Sequence, residues 1–170
     1  VLGADPFEGC DLPSGIEVSA KNEHFVVENG FLYDTDAYRL IKCFSNEETV
    51  IVPDRIRSIG SHAFWQNETM LHAELPASVE IIEADAFNDC ISMESIVWPA
   101  SLSVIGTYAF SDCDALTEIT LPDTLTLIDD GAFAFCPALK KVVLTGDDVT
   151  ISPSAFFMTD ATIMGPNGEI

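Results

Sequence analysis

The dipeptide Ala-Phe recurs as Ala63-Phe64, Ala86-Phe87, Ala109-Phe110, Ala132-Phe133 and Ala155-Phe156, each pair 23 residues after the one before. A strict period of this length is the mark of a solenoid, because one short unit cannot bury its own apolar side and must stack on its neighbours. Other columns keep the register. Proline stands at 53, 76, 99 and 122, isoleucine at 59, 82, 105, 128 and 151, and cysteine at 90, 113 and 136. With about eight apolar positions per unit at roughly 1.5 to 3 kcal/mol each, stacking offsets the ordering entropy that a lone unit could not.

Within a unit, Leu116, Ile119 and Leu121 follow the spacing L-x-x-L-x-L, and Met93, Ile96, Trp98 and Leu139, Val142, Leu144 fill the same slots. Alternation there predicts a strand with one face inward, and the following proline, which cannot donate to a ladder, ends it. Trp98 falls in an inward slot and reads as core. The second half of a unit, for example residues 101–110, reads as a short extended segment, a turn and one tight helical turn carrying Ala-Phe.

The array is framed by departures from the period. Residues 2–10 overlay residues 105–113, with Ile16 and Val18 matching Ile119 and Leu121, so residues 1–20 are expected to form a partial first repeat and the chain to be cut from something longer. Residues 21–48 break the pattern. There Asn29-Gly30, between Phe25–Glu28 and Phe31–Tyr33, is a hairpin signal, and a second turn at 34–37 implies a small antiparallel meander. Four repeats span 49–145, and residues 146–170 decay into a capping repeat, with Thr159 at the cysteine position.

The run from Ile105 to Pro122 (I-G-T-Y-A-F-S-D-C-D-A-L-T-E-I-T-L-P) resembles the BspA-like leucine-rich repeat, and the 25–33 hairpin and 162–166 resemble that family's hairpin and closing segment. The resemblance covers essentially the whole chain. It implies a right-handed leucine-rich-repeat superhelix with short parallel strands and short helical turns. It also implies a secreted or cell-surface bacterial protein whose usual role is adhesion to host matrix proteins or other cells. Asn67 replaces the column cysteine, Met70 and Met93 replace leucine, and Trp98 replaces a strand aliphatic.

Charge narrows the partners. Seven Lys and Arg against 28 Asp and Glu give −21, which repels phosphate backbones and anionic lipid, so neither nucleic acid nor membrane insertion is expected. The expected partner is a protein or glycan on a host or neighbouring cell. Neither metal nor cofactor is expected. Asp129-Asp130 and Asp147-Asp148 lack calcium-loop spacing, and His24, His62 and His72 fall in three separate places, so no catalytic group is apparent and the chain reads as non-enzymatic. The cysteines read as small, buried, free thiols rather than a metal ladder or bridges.

Two outward columns of the strand face are the candidate ligand surface: His72, Ser95, Glu118, Lys141 and Glu74, Val97, Thr120, Val143. The bland alternative is a solvated sheet face with a weak Glu118–Lys141 pair. Trp65, Phe157 and Phe135 stand just past Ala-Phe, where sister repeats carry Asn88, Ser111 or Asp89. Trp65 and Phe135 are thus second candidates for protein or glycan contact, though packing between adjacent turns is the favoured reading. A spacer that holds another domain away from the cell is the structural alternative to a binding module.

Overall fold

The computed structural model describes Pro6, Phe7 and residues 16–169; the rest of the expected 1–20 repeat lies outside the described residues. Ile16 and Val18 form no strand. The chain opens with an antiparallel meander of β1 (Phe25–Glu28), β2 (Phe31–Asp34) and β3 (Arg39–Cys43). Asn29 and Gly30 have φ of 51° and 81°, the two positive values that a type I′ hairpin needs. Asp34 Oδ1 accepts the N–H groups of Asp36 and Ala37, both at 2.9 Å, and turns the chain into β3.

Every later coil carries two short strands. They are β4 (Thr49–Ile51) with β5 (Ser58–Ile59), β6 (His72–Glu74) with β7 (Ile81–Ile82), and β8 (Ser95–Val97) with β9 (Val104–Ile105). After these come β10 (Glu118–Leu121) with β11 (Leu127–Ile128), β12 (Lys141–Leu144) with β13 (Thr150–Ile151), and finally β14 (Thr162–Gly165) with β15 (Gly168–Glu169). The odd strands β5 to β13 pair in parallel, each 23 residues from the next, and β3 joins them through Leu40 opposite Ile59. The meander thus extends this layer to eight strands. On the other layer, β4-β6-β8 and β10-β12-β14-β15 are separate sheets, the second closed by the antiparallel β14–β15 hairpin.

The solenoid is as the period requires, but the expected helical turns are absent: no described residue is helical. The reason lies in the backbone on either side of Ala-Phe. His62 and Gln66, Asp85 and Asp89, and Tyr108 and Asp112 are all left-handed, with φ between 53° and 62°, and a left-handed residue cannot continue a right-handed helix. Amides that a helix would use internally run between coils instead. The N–H groups of Phe64, Phe87, Phe110 and Phe133 donate to the carbonyls of Ala86, Ala109, Ala132 and Ala155, each at 2.8 Å.

That ladder fixes the core. The rings of Phe64, Phe87, Phe110, Phe133 and Phe156 stack in one column with centroids 4.5 to 5.4 Å apart and planes within 7°. Cys43 N–H donates to Ala63 O at 2.8 Å, as each column phenylalanine does to the next alanine, so Cys43 begins the backbone ladder. Ile59, Ile82, Ile105 and Ile128 and the cysteine column are buried alongside, with Ile151 half-buried at the last coil, and Cys43, Cys90, Cys113 and Cys136 are free thiols.

Trp98 takes the slot of Leu75, Leu121 and Leu144, yet it is only half-buried and reaches forward edge-on to Phe110 and Phe133 at 5.2 and 6.3 Å. Its bulk coincides with the one place where the strand layer opens, between β8 and β10. At the N-terminal end, Arg39 reaches across Gly60 to Glu83, with Nε–Oε1 at 2.6 Å and Nη2–Oε2 at 2.7 Å. This fork clamps the meander to the coil of β7.

Candidate functional site

The strand layer places the two predicted columns outward, because alternation from the buried Ala73, Ile119 and Val142 forces their neighbours to the other face. His72 pairs with Ser95 and Glu74 with Val97 across β6 and β8, as do Glu118 with Lys141 and Thr120 with Val143 across β10 and β12. The opening at Trp98 separates these two pairs of strands. The eight residues therefore form two short faces rather than one hydrogen-bonded run.

The columns also differ in chemistry. In the first, the groups satisfy each other: His72 Nδ1 lies 2.9 Å from Ser95 Oγ, and Lys141 Nζ donates to Glu118 Oε1 at 2.5 Å. Exposed pairs of this kind contribute at most about 1 kcal/mol. In the second, Val97 is 58% exposed, Glu74 and Thr120 are exposed, and Val143 is half-buried.

Sequence reading stopped both columns short. Register places Thr49 and Ile51 beside His72 and Glu74, and Thr162 and Met164 beside Lys141 and Val143. Ile51, 62% exposed, is the most open aliphatic on this face. The signal was available, since Pro53 ends that strand as Pro76 and Pro99 end the next two.

Trp65 and Phe135 reach the surface, against the expectation of packing between turns: they are 39% and 41% exposed, and Phe157 is 57% exposed. Each ring has an edge-on aromatic neighbour. Trp65 meets the His62 ring at 5.7 Å, and Phe135 meets Phe157 at 5.5 Å. Three coils, about 14 Å at strand spacing, separate Trp65 from Phe135, so they do not form one patch.

The thiols have no open chemistry. Burial pushes Cys43 from the ordinary 9.0 to about 11 and Cys90 and Cys136 to about 12, and it raises Cys113 well above 9.0. Among the described residues, no cluster of three or more His, Cys, Asp or Glu is placed to hold a metal. One polar contact was missed: Ser61 Oγ lies 2.9 Å from His62 Nδ1, with Asp85 4.0 Å from Nε2. Ser61 and His62 are sequence neighbours. A cleft of about 230 Å³ at the β14–β15 cap is lined by Leu144, Val149, Pro166 and glycine backbone, with Asp147, Asn167 and Glu169 as its polar residues and no cation among them. No helix among the described residues is long and apolar enough to cross a membrane.

Six successive copies of the pattern described as BspA type leucine rich repeat region match residues 37–162. The chain belongs to that family. No curated protein sequence matches it significantly. Solved leucine-rich repeat proteins are similar in fold. A pneumococcal vaccine antigen, PcpA, is 28% identical with a TM-score of 0.77, over 86% of this chain and 38% of its own. A leucine-rich cell surface protein from Faecalibacterium prausnitzii is 26% identical with a TM-score of 0.78, over 85% of this chain and 40% of its own. A leucine-rich repeat protein from Eubacterium ventriosum shares the fold at a TM-score of 0.79 and 20% identity, covering 86% of this chain and 41% of that one. The BspA-type chain thus spans about two fifths of the length of these structures.

Proposed function

We propose that this BspA-type chain is a non-enzymatic binding module of a bacterial cell-surface or secreted protein, engaging a partner protein through its strand face. The observation that supports the reading is the contrast between the outward columns. A purely solvated face has no reason to set its hydrogen-bonding groups against one another in one column while leaving Ile51 and Val97 more than half exposed in the other. Isolated surface aliphatics are ordinary, whereas aliphatics aligned on a rigid sheet beside polar groups with settled partners suit protein contact. Similarity to a leucine-rich cell surface protein supports the location.

The test is saturable binding of the chain to arrayed host matrix proteins and glycans at physiological salt, beside a charge-matched acidic control. A protein hit weakened by Ile51→Ser with Val97→Ser carries the strand face. A chain that binds nothing beyond the control is a spacer, and the strand-face reading falls.

A further inference from the structure

Tyr108, Phe135 and Met158 hold a backbone conformation that their side chains disfavour. Their φ values are 53°, 55° and 58°, in the left-handed region where Gly, Asn and Asp are at home. The repeat supplies its own comparison. Tyr108 stands where the coil before has Asp85 and the coil after has Gly131, and Phe135 stands where the two coils before have Asp89 and Asp112. Burial does not compensate, for the three are 45%, 41% and 70% exposed. Tyr108 lies flat over Gly131, where a Cβ would stand 2.3 Å from the ring. Phe157 leans edge-on against Phe135. Phe135, Phe157 and Met158 thus form an exposed row along the turn edge, with Tyr108 at the other end of the Ala-Phe turn one coil back, opposite in chemistry to the aspartates upstream. Strain kept at exposed apolar residues points to a use for them.

Charge identifies the occupant. Between residues 58 and 139 there are thirteen acids and no Lys or Arg, and the cations on either side of this stretch reach Glu80, Glu83 and Glu118 within it. Asp112, whose Oδ2 accepts from Ser111 Oγ at 2.6 Å, continues the Phe135 column one coil back; Asp130 takes the Tyr108 N–H on its main-chain oxygen at 2.9 Å, and its carboxylate Oδ1 accepts from the Ser152 and Ser154 hydroxyls and keeps its charge. The cations that follow in sequence are engaged, Lys140 with Asp160 at 3.7 Å and Lys141 with Glu118. A net charge of −21 opposes a second copy of this chain. We propose that Tyr108, Phe135, Phe157 and Met158 form a docking surface for a cationic polypeptide. Its apolar side chains cover the row, while its Lys or Arg groups meet Asp112 and Asp130 and the open ring faces. This surface is separate from the strand face and does not depend on it.

The probe is a short peptide of alternating Arg and Leu, titrated calorimetrically into the whole chain at about 0.15 M salt, where surface charge is screened beyond about 8 Å. Two reference peptides replace Arg by Glu and Leu by Gly. Saturable binding of the Arg-Leu peptide alone is expected. It should weaken by about tenfold or more in a Phe135→Asn, Met158→Asn variant, the loss of roughly 1.4 kcal/mol or more. That variant suits its backbone better, so its melting temperature should match or exceed that of the parent, which separates loss of a site from loss of the fold. Val97→Ser should leave this binding unchanged even if the strand-face reading fails. Equal binding by the Asn variant, equal binding of the Arg-Gly peptide, or no saturable binding overturns the proposal. So does a neutral oligosaccharide that binds saturably, in a manner lost in the Asn variant, while the peptide does not bind.

Discussion

The thiol of Cys113 donates to the carbonyl oxygen of Phe87, in the coil before, across 3.4 Å. Cys90 reaches Phe64 O at 3.2 Å and Cys136 reaches Phe110 O at 3.1 Å in the same way. The column's substitutes keep the donor: Thr159 Oγ1 donates to Phe133 O at 2.7 Å, and Asn67 Nδ2 to Ser45 O at 3.3 Å. These positions therefore need a small side chain with a proton to give, which bare smallness does not explain. Among the described residues no backbone N–H reaches Phe87 O, so Cys113→Ala leaves a buried acceptor unpaired at a cost of about 1 to 3 kcal/mol. Cys113→Thr restores the donor and should recover part of that in urea unfolding. Equal losses in the two variants would reduce the column to packing.

The same thiols set a pH limit. In the folded chain they stay protonated to about 11 at Cys43 and about 12 at Cys90 and Cys136, while unfolded thiols ionise near 9.0. Above pH 9 the unfolded state therefore binds fewer protons than the native one, and stability falls as pH rises; below 9 these groups contribute no slope. Urea midpoints should drop between pH 9 and 11, and the drop should shrink in a Cys90→Ser, Cys136→Ser variant. Native chain at pH 8 should leave all four described thiols unreacted toward an aromatic disulfide reagent until denaturant is added.

Gly60 is where the meander is fastened. A Cβ there would stand 2.4 Å from Leu40 O and 2.7 Å from the Arg39 guanidinium carbon, and the Gly60 N–H already donates to that carbonyl at 2.8 Å. Gly60→Ala must push backbone apart, costing about 1 to 3 kcal/mol. Arg39→Ala removes the guanidinium from that space, leaving the Leu40 carbonyl, and loses the fork to Glu83, a charged pair that is only 16% and 27% exposed, for about 1.5 to 3 kcal/mol. Hydrogen exchange should then accelerate in β2 and β3 while β9 and β11 stay protected. Uniform acceleration along the chain would deny the meander any independence.

The solenoid and the inward columns were legible because a 23-residue period repeats five times, so each buried position is written several times over. Asn29-Gly30 was legible because the turn demands those residues. The helical turn misled because Ala-Phe with its neighbours suits one helical turn locally, and the left-handed residues on either side look like ordinary Asp, His or Tyr in sequence. The opening beside Trp98 was illegible for a related reason: an apolar slot records that a side chain faces inward, not how far it reaches past its own coil. Exposure of Phe135 was misjudged since an aromatic among apolar neighbours reads as packing until the backbone aims it outward.

Met158 isolates that last effect. It has φ of 58° and is 70% exposed, so the side chain gives up little burial while its Cβ crowds the backbone. A left-handed non-glycine residue costs on the order of 1 kcal/mol or more, and Asn tolerates it through local hydrogen bonding. Met158→Asn should therefore raise stability by about 1 kcal/mol, or roughly 2 to 4 °C in a chain of this size. Tyr108→Gly relieves the same strain but uncovers Gly131, so its gain should be smaller or absent. Calorimetric melting of the two variants beside the parent checks both. A lower melting temperature for Met158→Asn would mean that its side chain packs more than its exposure indicates, and the exposed row would lose one member.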